Sequence, residues 1–488
     1  MRFSMALLGA TALIAAPLAA QVGRGTLNPR EVAESRQIHP QLVEEYGGAE
    51  TGPRAAYVES IGRRIAAFTG IANPGQVYRF TTINSAVENA FATPGGYVYI
   101  TRQLMGIMND EAELAFVVGH EAGHIAARHS QARQAASRNN SILGALGAIL
   151  GQTLGGGFGQ AIAQGSLYQS KLRTLGFSRQ QEYQADVLGI RYLIGAGYDP
   201  AASATMLSQL TNNSALQARI QGNANRSTPE WASTHPLSAN RVTQASAAAR
   251  QTGRAGTGAR NRDAFLAQLD GVTVDDDPAQ GVIEGRQFTH PDLRMTFTVP
   301  TGFLMQNGTR EVSIDGGAAG QAQFSGGQFS GDMPRYIAAV LQELTGGEAA
   351  LQLGPLQQTS VNGIPATYVI GRAQSSSGPV DVGVFAYRWD ANTAYHFITL
   401  SRGGQGITPY RGMINSLRRI SPAEAAAIRP RVIDVVQVRA GDTPQTLAAR
   451  MAYRDYRLER FLVLNGLNAN SRLVPGQKVK LVVYGARR

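Results

Sequence analysis

The spacing of apolar positions changes period along the chain and divides it into regions. From about Pro29 to Ala248 apolar residues recur mainly at helical intervals. One short β-rich region interrupts them, Tyr78 to Thr82 and Gly96 to Ile100 around the turn Thr93-Pro94-Gly95-Gly96. Asp110 to Ser130 reads DEAELAFVVGHEAGHIAARHS, with Asp110 and Glu113 at capping-box spacing ahead of an apolar helical run. Between Gly281 and Ser421 the pattern turns to strands, at Met295–Val299, Ala366–Ile370, Val380–Tyr387 and Tyr395–Leu400, with helices at Met333–Leu344 and Pro409–Leu417. A last compact piece runs from Val435 to Tyr484. From Gln251 to Arg262 the composition shifts to Gly, Ala, Thr, Arg and Asn without apolar periodicity, which opens a linker read at 251–280 that also holds the acidic patch Asp275 to Asp277; proline and alanine content marks a second linker at 422–434. The expected architecture is α+β and multidomain: a leader at 1–20, a mainly helical domain at 21–250, a small α+β sandwich at 281–421 and a βααβ module at 435–485.

Met1 to Ala20 has Arg2, an apolar run from Met5 to Leu18 and then Ala19-Ala20, the layout of a secretory signal peptide. The run is shorter than the roughly 20 apolar residues of a membrane span, so the mature chain is expected to start near Gln21, exported to the periplasm. Residues 142–163 form a second apolar stretch rich in Gly and Ala. Its scattered glycines weigh against one stable span and favour a helical flap over the active site, contact with a membrane surface being the other reading.

At 488 residues the chain exceeds one ordinary core. The net charge of +11 comes mostly from dispersed arginines, which points to anionic lipid or wall polymer rather than nucleic acid, since no basic cluster or nucleic-acid module is present. There is no cysteine, so disulfides and thiolate metal sites are excluded and any metal must use His and carboxylate.

His120 and His124, one helical turn apart, can reach a single tetrahedral ion, with Glu121 beside its open position. One class of such sites takes its third ligand ten positions after the first His, following a Gly; here Ser130 and Ala127 occupy those places, which excludes that class. His129 is about half a turn out of phase with His120 and is expected to face away. Glu182 and Asp186 share a face of a later helix. Spacing alone leaves two readings open, a metal ligand with a carboxylate supporting a ligand imidazole, or a solvated acidic pair.

His120-Glu-Ala-Gly-His124, Glu182-Tyr-Gln-Ala-Asp186, Ala196-Gly-Tyr-Asp-Pro200 and Thr234-His-Pro-Leu237, in this order, resemble the HtpX-like and BepA-like metallopeptidases, relatives of the CAAX prenyl protease. The resemblance implies a gluzincin fold with one zinc ion on His120, His124 and Glu182, Asp186 in support, and Glu121 as general base and then acid. It also implies that His235 and Arg241 face the open side of the metal, His235 stabilising the oxyanion or blocking the metal as a switch. Without the resemblance, His235 before Pro236 reads equally as a loop histidine. Asn89-Ala90-Phe91-Ala92 looks like the family's edge strand, to which an extended polypeptide substrate would pair. Val436-Gln-Val-Arg-Ala-Gly-Asp-Thr443 and Leu473-Val-Pro-Gly-Gln477 resemble a LysM module, which implies binding of peptidoglycan or other glycan containing N-acetylglucosamine. The middle domain offers no chemistry, its His290 and His396 being isolated. The expected function is a periplasmic zinc endopeptidase for misfolded or mislocalised envelope proteins. A wall-bound chaperone or scaffold with a self-blocked metal site, and a hydrolase of wall peptides, are the alternatives.

Overall fold

The computed structural model describes residues 25–131, 177–220, 231, 235–236, 239–345, 351–375 and 378–486. The expected leader at 1–20 and the expected flap at 142–163 lie outside these residues. Helices α1 (Pro29–Glu45), α2 (Pro53–Ala66) and the single turn α3 (Pro74–Val77) each begin with proline, whose fixed φ and missing N–H suit a first helical position. Strands β1 (Arg79–Ile83), β2 (Ala90–Ala92) and β3 (Tyr97–Thr101) follow in the order β1-β3-β2, so β2 is an edge. Next come α4 (Arg102–Ile107), α5 (Glu111–Ala126), α6 (Arg179–Gly195), α7 (Ala202–Ile220) and α8 (Ala239–Gln251).

Every residue of α5 from Glu111 to Ile125 is buried, as a helix apolar on nearly all sides requires. Its start is capped by the Asp110 side chain, which accepts from Glu113 N at 3.0 Å. The Glu113 carboxylate reaches Asn109 N at 2.7 Å instead of completing the expected box on Asp110. Small residues bring α5 and α6 close together: a Cβ on Gly189 would stand 3.2 Å from His120 N, and one on Gly123 3.3 Å from Ala185 O. The two backbones therefore approach at the level of the histidines.

Past α8 the expected linker is folded. Residues 258–261 lie across the start of α5, Arg260 O accepting from Glu111 N at 3.0 Å and Arg260 Nε donating to Asp110 Oδ2 at 2.8 Å. They lead into α9 (Arg262–Leu269), which buries Phe265, Leu266 and Leu269, and into β4 (Thr273–Val274). The polar composition that read as linker is the outer and capping face of a segment whose large apolar residues, Phe265, Leu266, Leu269, Val272 and Val274, are buried.

The middle region contains a small sheet made of β5 (Val282–Glu284), β6 (Gln287–His290) and β7 (Met295–Thr298). A larger one holds β8 (Leu304–Asn307), β9 (Glu311–Asp315), β10 (Gln321–Gln328), β11 (Gln352–Leu353), β12 (Gln357–Val361), β13 (Ile364–Ser375), β14 (Gly378–Arg388) and β15 (Thr393–Arg402). Period-two alternation sorts the faces of β14: Phe385 and Tyr387 meet the small sheet's Phe288 and Phe297, while Val382, Val384 and Ala386 meet helix α10 (Met333–Thr345). Helix α11 (Arg411–Ser416) and β16 (Arg418–Arg419), which pairs with β7, complete this sandwich. His396 is not isolated, lying 3.1 Å from Ser325 Oγ and 2.8 Å from Tyr336 Oη.

The second expected linker is also largely folded, into α12 (Pro422–Ala427) and the start of β17 (Arg431–Gln437). Helices α13 (Pro444–Ala448) and α14 (Arg457–Leu464) and strand β18 (Lys478–Tyr484) then complete the βααβ module. Strand β17 pairs with both β18 and β4. Ile433, Leu447, Phe461, Val479 and Leu481 share one hydrophobic core with Phe265, Val274 and the apolar residues of α5. The module is thus packed onto the first domain instead of hanging from a linker.

Candidate metal centre

Helix periodicity stacks His120 and His124 on one side of α5, and α6 enters with Glu182 in its first turn after the capping box of Ser178 and Gln181. Among the described residues, His120, His124, Glu182 and His235 form a buried group whose ligating atoms all lie within 4.8 Å of one another. His120 Nε2 is 3.0 Å from His124 Nε2 and 3.3 Å from His235 Nδ1. Glu182 Oε1 is 3.3 Å from His124 Nε2 and 3.0 Å from His235 Nδ1. Three imidazole nitrogens and a carboxylate converge here with few protons to share. A cation resolves that crowding, and a nitrogen and oxygen donor set without sulfur suits a divalent metal such as zinc.

The surrounding shell orients these donors. His120 Nδ1 lies 2.9 Å from Asp186 Oδ1. With His124 Nε2 turned into the cluster, its Nδ1–H points at His129 Nδ1 at 2.9 Å, and His129 Nε2–H at Gln184 Oε1 at 3.2 Å. His129 was expected to face away because the helix was extended through it. Instead α5 ends at Ala126 and Arg128 adopts a left-handed φ of 56°, which swings His129 back beneath His124. Arg241, expected on the open side of the metal, instead clasps the carboxylates. Its Nε and Nη2 donate to Asp186 at 2.9 and 2.7 Å, and its Nη1 lies 2.7 Å from Glu182 Oε2. Two buried carboxylates require such a counter-charge.

Glu121 lies on the same turn, with Oε1 3.5 Å from His235 Nε2. Burial, reinforced by the charge of Glu182, holds its carboxyl well above the ordinary range. Burial also raises Glu182, but His235, His124 and His120 outweigh it and keep this carboxylate well below its usual value. His124 is pushed well down by burial, against the pull of Glu182.

Two aromatic residues absent from the sequence reading complete the site. Trp231 stacks on His235 with ring centroids 4.1 Å apart, and Phe177 stacks on His124 at 3.8 Å. Trp231 N donates to Glu88 O at 3.1 Å, which ties the His235 turn to the chain just ahead of β2. Asn89 and Thr101 bond each other across the β2–β3 pair, and β2 packs against α5; Asn89, Ala90 and Phe91 are buried and Ala92 half-buried. Trp231 had one visible signal, being one of two tryptophans in the chain and four residues before His235.

A buried His-Glu-x-x-His helix joined by a carboxylate from a second helix defines a metallopeptidase-type centre. Residues 53–249 match Peptidase family M48, and residues 436–482 match the LysM domain. Over these segments the chain is similar to M48 metallopeptidases and, toward its C-terminus, to LysM domains. It is 32% identical over 193 residues to the beta-barrel assembly-enhancing protease of Escherichia coli K12, covering 39% of this chain and 37% of that protein. It is 28% identical over 211 residues to the mitochondrial metalloendopeptidase OMA1 of Schizosaccharomyces pombe, covering 43% and 58%. The chain therefore spans about two fifths to three fifths of these relatives' lengths. The match to the solution structure of cyanobacterial PsbP from Synechocystis covers 28% of this chain and 98% of that one, at 8% identity and a TM-score of 0.23. No helix among the described residues is long and apolar enough to cross a membrane.

Proposed function

We propose that the protein is an exported, periplasmic zinc endopeptidase acting on misfolded or mislocalised envelope polypeptides, and that its LysM domain holds it to peptidoglycan. The observation that carries the peptidase reading is the buried convergence of His120, His124 and Glu182 beside Glu121. The three would hold zinc, which when bound supplies Lewis-acid activation of water and of the scissile carbonyl. Glu121 takes the proton from the attacking water and passes it to the leaving amine, and its dry position beside Glu182 favours keeping that proton between the two steps. Asp186, Arg241 and His129 fix the ligand side chains and add no chemistry of their own. An extended substrate would lie along the β2 edge at Asn89–Ala92.

His235 gives this reading a resting state. Its Nδ1 stands among the donors, 3.0 Å from Glu182 Oε1, and so would occupy the place a substrate needs. Activity then requires the His235 imidazole to leave the donor group. The same contact favours the second reading, a wall-bound scaffold whose metal stays shut.

The test incubates the mature protein with an unfolded envelope polypeptide, with and without zinc, beside Glu121→Gln and His235→Ala. Zinc-dependent cleavage is expected, reduced about 10²- to 10⁴-fold in Glu121→Gln with zinc still bound. Stoichiometric zinc without cleavage in either the wild type or His235→Ala would leave the scaffold reading.

A further inference from the structure

Lys480 sits between Val479 and Leu481 in β18, and all three are wholly buried. Its ammonium donates to Gly106 O at 2.8 Å and to Met108 O at 2.5 Å, carbonyls left open where α4 ends. Two residues further on, Asp110 caps α5. Around the same point Arg262 joins Asn109 O at 2.8 Å to Lys478 O at 3.2 Å, and Gln209 of α7 donates to Val463 O, at the end of α14. Glu113 and Asp110 attract the Lys480 charge and Arg262 repels it, while burial lowers its pKa to about 7. A side chain that only tethers a mobile module has no reason to be desolvated in this way.

We propose that the LysM module is a fixed clamp on the start of the helix carrying His120 and His124, with Lys480 as its positioning residue, so that module folding and metal binding are coupled. The cap at Asp110 and the ligand His120 belong to one rigid helix and lie about 15 Å apart along it. A shift at residues 106–110 therefore moves both imidazoles relative to Glu182 on α6. The coupling runs both ways: metal that holds α5 against α6 also steadies the surface on which β18 rests.

The inference rests on the zinc reading of the centre, and its test does not use cleavage. Amide hydrogen exchange of the full chain is followed with and without zinc, and zinc affinity is measured by competition with a chromophoric chelator for wild type, Lys480→Met and Phe461→Ala. Zinc is expected to slow exchange at 478–482 as well as at 111–126. Either substitution is expected to weaken zinc about 5- to 100-fold with exchange in β13–β15 unchanged. Protection of α5 alone, or unchanged affinity in both variants, would overturn the clamp. Wild type that binds no zinc would instead overturn the metal reading beneath it. Should a variant fail to fold, the comparison of wild type with and without zinc still decides.

Discussion

His129 and Lys480 show how much a single side chain depends on where the backbone delivers it. His129 reaches His124 through a left-handed residue, and the hydrogen bonds from His124 through His129 to Gln184 leave the Nε2 lone pair of His124 free for metal. His129→Ala is expected to weaken zinc binding about 10- to 100-fold, the usual effect of losing such an outer partner, as read by chelator competition. Lys480 is lowered from 10.5 to about 7, chiefly by burial. Between those values the unfolded chain holds a proton that the folded chain does not. Stability from this group is therefore complete above pH 10.5 and lost as pH falls to about 7, with no further change below. Lys480→Met removes the slope. Wild type should gain melting temperature relative to the variant as pH rises from 7 to 10, and a difference that does not vary with pH would contradict the assignment.

At the scale of elements, the pairing of α5 with α6 decides whether a motif becomes a site. Gly119 and Gly123 on α5 and Gly189 on α6 leave room for the backbones to approach, and only then does Glu182 come within reach of both histidines. Gly189→Val would place methyl groups against His120 N and the Phe116 ring. It is expected to cost about 1–3 kcal/mol by overpacking and to weaken zinc as the helices part. Urea unfolding and zinc titration on the same samples check both effects.

At the scale of the molecule, Asp275 to Asp277 is a junction rather than a boundary. Buried Arg102 donates to Asn84 Oδ1 at 2.7 Å, Thr273 O at 2.8 Å and Asp275 O at 2.9 Å. The Asp275 carboxylate accepts from Tyr453 and Arg431 of the LysM module, and Asp276 accepts from Ile283 N at the entry to the sandwich. Three regions thus meet on two consecutive acids, Asp275 and Asp276. Arg102→Ala leaves several buried acceptors unpaired and is expected to cost on the order of 3 kcal/mol, measured by chemical denaturation. The first domain and the LysM module are expected to lose stability together.

The amino-acid sequence by itself determined what short-range geometry can carry. Helical spacing set His120, His124 and Glu121 on one turn, the β-rich pattern marked segments of β13 to β15, and the order of motifs pointed to the peptidase and LysM families. Periodicity reports only which face of one element is apolar. It could not show that α5 stops before His129, that Arg241 turns to the carboxylates, or that Trp231 and Phe177 pack on the ligand imidazoles. Nor could it show that 262–274 and the LysM module share the first domain's core, because the residues that join them, Gly106, Met108, Arg262 and Lys480, are far apart in sequence and follow no local pattern. The tertiary structure decided those points. Each depends on buried charge and backbone finding partners from distant segments, a requirement that exists only once the core has closed.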